Sequence, residues 1–363
     1  MVNKHMPYDL AQMQSLPLRA KIIMTQQRIR QWYEYWDGQV YVSFSGGKDS
    51  TVLKHIVDEM YSDVPTVFVN TGLEYPEIQS FVREIKAGKY DCFNSDVEII
   101  RPEMRFDEVV KKYGYPVVSK EVSSAVGESK AAIARGNLNT VRHQQLLGTL
   151  KNKNGTPSIF NKEKWKFLLD APFDCSNKCC DVMKKKPAKQ YGKQSGRKPF
   201  IGTMAWESRL RRANWTKHGC NAFEKKNPSS QPLSFWTEQD ILHYIKEYNV
   251  PYCSVYGDIV IDEKVDGDSV LEGQINLIDY LGDYSEEDRL KTTGCDRTGC
   301  IFCMFGCYLE KEPNRFQRLK HTHPRQYEYC IGGGEYNEEG KWQPSKEGLG
   351  LGKVLEYIGV DYD

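Results

Sequence analysis

Apolar residues in this chain fall into short continuous runs separated by longer stretches with helical spacing. Val40-Tyr41-Val42-Ser43-Phe44, Thr66-Val67-Phe68-Val69-Asn70, Val97-Glu98-Ile99-Ile100 and Lys198-Pro199-Phe200-Ile201-Gly202 are short and rich in β-branched and aromatic side chains. They predict buried strands of a parallel sheet. Leu10 to Tyr35 has apolar residues at helical spacing and no glycine before Gly38, so it predicts a helix leading into the first strand. Thr51 to Val57, the stretch through Phe81 and Ile85, and Phe106 to Tyr113 predict further helices, the last ended by Gly114. Thr237 with Asp240 three residues on reads as an N-cap pair for a helix that runs through Ile241 to Tyr248 and ends before Pro251. Strands alternating with helices give an α/β fold class, a doubly wound parallel sheet with its ligand crevice at the carboxyl ends of the strands. Asn152-Lys153-Asn154-Gly155 and Pro157 mark a surface loop inside the ambiguous stretch 144–166. Residues 258–290 are acidic and irregular, an insertion or a lid. The expected organisation is a helical segment over 1–37, an α/β domain over 38–250 and a C-terminal region over 251–363.

The turn after the first strand carries the clearest chemistry. Ser45-Gly46-Gly47-Lys48-Asp49-Ser50 joins a strand to a helix, which leaves backbone N–H groups at the positive end of the helix dipole. Two glycines let that backbone approach an anion closely. The spacing is not that of the Walker loop, which needs four residues between its first glycine and Gly-Lys-Ser/Thr. With adjacent glycines and a carboxylate after the lysine, the loop can hold pyrophosphate through its amides and Lys48, while Asp49 helps hold Mg²⁺ on the phosphates.

Bulk charge excludes little, since 50 Lys and Arg face 49 Asp and Glu. Its distribution is more informative. No acid occurs from Ser129 to Lys162, where Lys130, Arg135, Arg142, Lys151, Lys153 and Lys162 lie, nor from Val182 to Lys198, which includes Lys184, Lys185, Lys186, Lys189, Lys193 and Arg197. A face built from the runs 130–162 and 184–198 suits a polyanion such as nucleic acid. No run reaches the roughly 20 apolar residues that cross a bilayer, so the expected setting is cytoplasmic, without a membrane. In that compartment the 11 cysteines are expected as metal ligands, catalytic thiols or core residues and not as disulfides. Cys175, Cys179 and Cys180 precede a lysine run, and Cys295, Cys300, Cys303 and Cys307 cluster far downstream. Soft sulfur donors in Cys-x-x-Cys spacing suit an iron–sulfur cluster or Zn²⁺.

Ser45 to Ser50 resembles the PP-loop of ATP pyrophosphatases, which cleave ATP between the α and β phosphates. Asn70-Thr71-Gly72-Leu73-Glu74-Tyr75-Pro76-Glu77 resembles a segment of the phosphoadenosine phosphosulfate (PAPS) reductase superfamily, with Asn70 in place of the usual aspartate. Gly202 to Arg212 resembles the superfamily's "G-x-R-x-x-E/Q-S-x-x-R" segment, with Met204 or Ala205 at the position of the first arginine and Glu207, Ser208, Arg209 and Arg212 retained. The resemblance implies an adenine nucleotide alpha hydrolase-like, Rossmann-like fold. It also implies nucleotide contacts from Ser45, Gly46, Gly47, Lys48, Asp49, Ser50, Asn70, Thr71, Gly72, Glu74, Gly202, Glu207 and Ser208, with Lys48, Asp49, Arg209 and Arg212 serving catalysis.

Cys-Cys-x-x-x-Lys-Lys-x-Pro followed downstream by Cys-x-x-Cys is similar to the [4Fe-4S] branch of the superfamily, the adenylyl sulfate reductases and DNA phosphorothioation enzymes. It implies Cys179, Cys180, Cys300 and Cys303 as ligands, with Cys295 or Cys307 as substitutes and Zn²⁺ as the alternative metal. Cys330 lacks the Glu-Cys-Gly-Leu-His motif of the reductases and is expected to be inert. Because the loop keeps its lysine and aspartate, the first expectation is an ATP pyrophosphatase. It would adenylate an acceptor, with nucleic acid as a candidate, for sulfur transfer from a donor the residues do not specify. An adenylyl or phosphoadenylyl sulfate reductase is the alternative, and a non-catalytic nucleotide-sensing subunit is a third.

Overall fold

The computed structural model describes residues 3–262 and 288–363. Apart from its two ends, the acidic stretch 258–290 lies outside the described residues. The described chain forms two compact units, neither of them continuous. One comprises 1–70, 74–101 and 188–298, the other 71–73, 102–187 and 299–363. The expected boundary at 250/251 therefore falls within the first unit.

In the first unit, α1 (Pro7–Gln14) and α2 (Leu18–Tyr35) stand where one helix was expected. Pro17 separates them, because its ring cannot continue a helix from residues before it. β1 (Val40–Phe44), α3 (Lys48–Met60), β2 (Thr66–Val69), α4 (Pro76–Lys86) and β3 (Val97–Ile100) follow. The chain returns with β4 (Lys198–Ile201), α5 (Arg209–His218), β5 (Asn221–Ala222), β6 (Ser229–Ser230) and α6 (Glu238–Glu247). These strands make one sheet in the order β3-β2-β1-β4-β6-β5. Every pair is parallel except β5 with β6, as the α/β reading requires. Strand order reverses at β1, which has β2 on one side and β4 on the other. Such a switch point is where a crevice opens at the strand ends.

The core of this unit packs Val40, Val42 and Phe44 of β1 with Val52, Leu53 and Ile56 of α3 and with Ile29 and Trp32 of α2. The N-terminal helices are thus part of the core. Two buried ion pairs fasten helices to it. Lys21 Nζ lies 2.8 Å from both oxygens of Asp240, and Lys54 Nζ lies 2.7 Å from Asp58 while also donating to Thr66 Oγ1 and Asn94 O.

The second unit is largely helical. Helices span Phe106–Tyr113, Lys120–Ala134 and Val141–Leu147, the latter two capped by the Ser119 and Thr140 side chains. Val117–Val118 pairs in parallel with Met304–Phe305. Lys178–Cys180 is a helical turn that widens into a π turn over Asp181–Lys185. The C-terminal helices span Arg315–Thr322, Pro324–Ile331 and Leu351–Tyr357. No helix among the described residues is long and apolar enough to cross a membrane.

Candidate functional site

The loop after β1 is built as its sequence predicts. Gly46 has φ +73°, and a Cβ there would lie 2.6 Å from Ile78 Cγ2. Only glycine fits. Gly202, at the exit of β4, comes so close to the start of α3 that a Cβ would lie 3.0 Å from Ser50 Cα, so it sets the spacing of β4 against the loop. The Ser45 and Ser50 hydroxyls stand 2.9 Å apart, and Ser50 Oγ donates to Gly47 O at 2.9 Å. The loop therefore holds its shape through its own side chains at the N-terminus of α3, a helix end that favours an anion.

Lys48 is only 5% exposed. Its Nζ pairs with Glu238 Oε1 at 2.9 Å and donates to Asp296 O at 2.7 Å. Its backbone N–H donates to the Tyr256 hydroxyl at 3.1 Å, and that hydroxyl stands 2.7 Å from Thr298 Oγ1. A Cβ on Gly47 would meet the same two hydroxyls. Asp49 Oδ1 is buried without a hydrogen-bond partner, its nearest cation being Lys48 Nζ at 4.0 Å. Burial pushes the Asp49 carboxyl up from its ordinary range, with Lys48 opposing. Glu207 is held by two guanidiniums, those of Arg211 and Arg297, and Glu207 Oε2 accepts from Met204 N at 3.1 Å. Burial pushes the Arg211 guanidinium down, and Arg297 adds to the shift.

Arg209 and Arg212, expected to serve catalysis, are exposed on α5. Arg211 is the arginine that α5 turns toward Glu207. Ser208 caps this helix by accepting from Arg211 N at 3.2 Å, which fixes Arg211 three residues into it. Tyr256, Asp296, Arg297, Thr298 and Glu238 were not expected at the loop. Asn70 N donates to Ile100 O at 2.8 Å at the end of β2, and Glu74 is buried in the same unit. Thr71, Gly72 and Leu73 belong to the second unit, where Leu73 O accepts from Ile301 N at 2.9 Å.

In the second unit Cys179, Cys180, Cys300 and Cys303 line one cavity, partly open to solvent, with Leu73, Phe106, Pro116, Met183, Lys184 and Phe302. Cys303 N donates to Cys300 O at 3.0 Å, the tight turn that Cys-x-x-Cys spacing predicts. Arg315 anchors that turn by donating to Cys303 O at 2.9 Å while pairing with Glu310. Cys179 Sγ lies 4.0 Å from Cys180 Sγ. That contact draws the Cys180 thiol down to about 6, with Lys120, Lys184 and Lys185 adding to the effect and burial opposing it. The same contact, with burial, pushes Cys179 up. Among the described residues no three His, Cys, Asp or Glu side chains converge to hold a single ion. Cys307 faces away from this cavity, its thiol donating to Met304 O at 3.0 Å, and Cys295 belongs to the first unit. Cys330 is fully buried, and burial pushes its thiol well above the usual range.

A glycine-rich strand-to-helix turn at the switch point of a mainly parallel sheet places the chain in the doubly wound α/β class, whose ligand crevices open at such points. A phosphoadenosine phosphosulfate reductase domain matches residues 39–126 and 149–305, and the chain belongs to that family. It is 22% identical over 230 residues to adenosine 5'-phosphosulfate reductase of Staphylococcus epidermidis, covering 62% of this chain and 68% of that one. Over 279 residues it is 22% identical to the protein of the same name from Oceanobacillus iheyensis, covering 75% and 85%. The crystal structure of phosphoadenylyl-sulfate (PAPS) reductase from Candida auris, a phosphate complex, matches at 16% identity with a TM-score of 0.35, covering 63% of this chain and 82% of that one.

Proposed function

We propose that this chain is an ATP-using member of its family that releases pyrophosphate while adenylating an acceptor for sulfur transfer. The observation that carries the reading is the complete loop, with a buried lysine and a carboxylate oxygen that has no hydrogen-bond partner. An orphaned carboxylate oxygen beside a phosphate loop suits a cation. Mg²⁺, when bound, would offset charge on the terminal phosphates, with Asp49 as its protein contact. Lys48 would exchange Glu238 and the Asp296 carbonyl for phosphate oxygens, which places its charge where the leaving pyrophosphate gains negative charge. Arg211 and Arg297 would orient the α-phosphate or the acceptor, with Glu207 fixing their geometry.

Four soft thiols lining one pocket, with no oxygen or nitrogen ligand among its lining side chains apart from Lys184, suit an iron–sulfur cluster of the [4Fe-4S] kind, with Zn²⁺ as the alternative. Such a cluster, when bound, supplies electron-transfer or sulfur chemistry. The Cys179 contact, with Lys120, Lys184 and Lys185, favours the Cys180 thiolate, the form a cluster requires.

Reduction of adenylyl sulfate is the second reading, favoured by the names of the relatives. A reductase nucleophile at Cys330 would have to leave full burial. Protein purified without oxygen and assayed in parallel arms separates the readings. ATP with Mg²⁺ should yield AMP and pyrophosphate, and Lys48→Ala should abolish it. Sulfite from adenylyl sulfate and dithiol, lost in Cys330→Ser, would overturn the proposal in favour of the reductase. ATP binding without turnover would overturn it in favour of a sensing subunit.

A further inference from the structure

Residues 127–148, the end of the Lys120–Ala134 helix and the whole Val141–Leu147 helix, lie outside the residues that match the family domain. The loop that follows packs back on this segment. Lys162 N donates to Gln145 O at 2.7 Å, Asn161 Nδ2 to Gly148 O at 2.9 Å, and Ser158 N to Leu150 O at 2.8 Å. The loop's tip is closed by Asn152 N donating to Thr156 O at 2.8 Å. Residues 127–162 thus form one ordered segment, yet large apolar side chains stand on its outside. Ile159 is 87% exposed, more than any other large apolar residue among those described, and Phe160, Leu138 and Val141 are 56%, 56% and 60% exposed. Ile159 and Phe160 are adjacent, and a contiguous exposed apolar patch marks an interaction site.

Charge indicates what covers them. No acid occurs from Ser129 to Lys162. Three of the run's cations are used internally, Lys130 on the Ala171 and Phe173 carbonyls, Arg142 with Glu128 and Lys162 with Glu121. Arg135, Lys151 and Lys153 remain exposed, with no carboxylate partner among the described residues. Lysines on a loop tip with an Ile-Phe pair at its base match the way nucleic-acid binders combine phosphate contacts with apolar side chains set against or between bases.

We propose that residues 127–162 form a nucleic-acid-binding surface, in which Arg135, Lys151 and Lys153 contact phosphates and Ile159 and Phe160 pack on bases. It does not depend on the ATP reading, because binding needs no nucleotide. The test is fluorescence anisotropy of the full-length protein, without ATP, on labelled single-stranded DNA, duplex DNA and RNA of one sequence, titrated from about 50 to 200 mM salt. The wild type should bind at least one of the three, with affinity falling as salt rises. Lys151→Glu with Lys153→Glu should weaken binding at least tenfold and flatten the salt dependence by about two phosphate contacts. Ile159→Ser with Phe160→Ser should weaken binding severalfold and leave the salt slope unchanged. All four side chains are exposed, so the variants should fold, which circular dichroism checks. No binding at about 50 mM salt overturns the proposal, as does binding that neither variant alters. A wild-type dimer that Ile159→Ser with Phe160→Ser makes monomeric in light scattering would assign the surface to a second copy of the chain and overturn it equally.

Discussion

Tyr256 takes the N–H of Lys48 that a phosphate oxygen would use. Tyr256→Phe removes that competitor but keeps the ring, and a net hydrogen bond is worth about 0.5–1.5 kcal/mol. ATP should then bind about 3- to 10-fold more tightly by calorimetry, whereas weaker binding would mean that the hydroxyl itself contacts the nucleotide. Tyr256 and the Asp296 carbonyl reach the loop from 208 and 248 positions away, and no spacing rule brings such residues to mind. Arg211 was within reach of the sequence, because counting three residues from the N-cap Ser208 leads to it and not to its neighbours. Asp58 offers a separate test. Burial raises its carboxyl to about 6, with Lys54 opposing, against about 3.9 in an unfolded chain. The folded protein therefore holds that proton more tightly. This contribution to stability is complete below about pH 4 and lost as pH rises through about 6. Asp58→Asn should flatten that part of the stability profile in urea titrations taken across pH 4–7.

The four principal strands lie where short β-branched runs bounded by turn residues placed them, and Thr237 with Asp240 forms the expected capping box. Asp240 does more than cap, since it also binds Lys21 of α2 across the core. That partnership was illegible because a lysine in an amphipathic helix ordinarily points to solvent. Lys21→Met should strand a buried carboxylate and lower stability by about 3–5 kcal/mol, read as a shift in the denaturation midpoint. Lys21→Met with Asp240→Leu should recover most of the loss, and a double variant as unstable as the sum of its singles would show that the pair is not coupled. The two-residue strands Val117–Val118 and Met304–Phe305 had no sequence pattern to announce them, being too short to show alternation.

At the scale of the whole molecule, the segments gathered in each compact unit are scattered through the chain, so a linear division by composition could not find them. The same holds for the basic runs. Charge counting showed where cations concentrate, but Lys185 is paired with Asp181, Lys186 with Glu103, and Arg197 donates to the Val40 carbonyl. The cysteines are likewise graded by placement. Cys92 is exposed, four thiols line the cavity, Cys295 is partly exposed, and Cys175, Cys220, Cys253, Cys307 and Cys330 are buried. An alkylating reagent followed by peptide mass spectrometry should read this as a three-step clock. Cys92 acquires its tag at once in any sample. On the proposed cluster reading, Cys179, Cys180, Cys300 and Cys303 should become tagged only after iron is stripped, and the buried thiols only in denaturant. A single tube would then report cofactor occupancy and global integrity as separate mass ladders, with no assay of turnover at all.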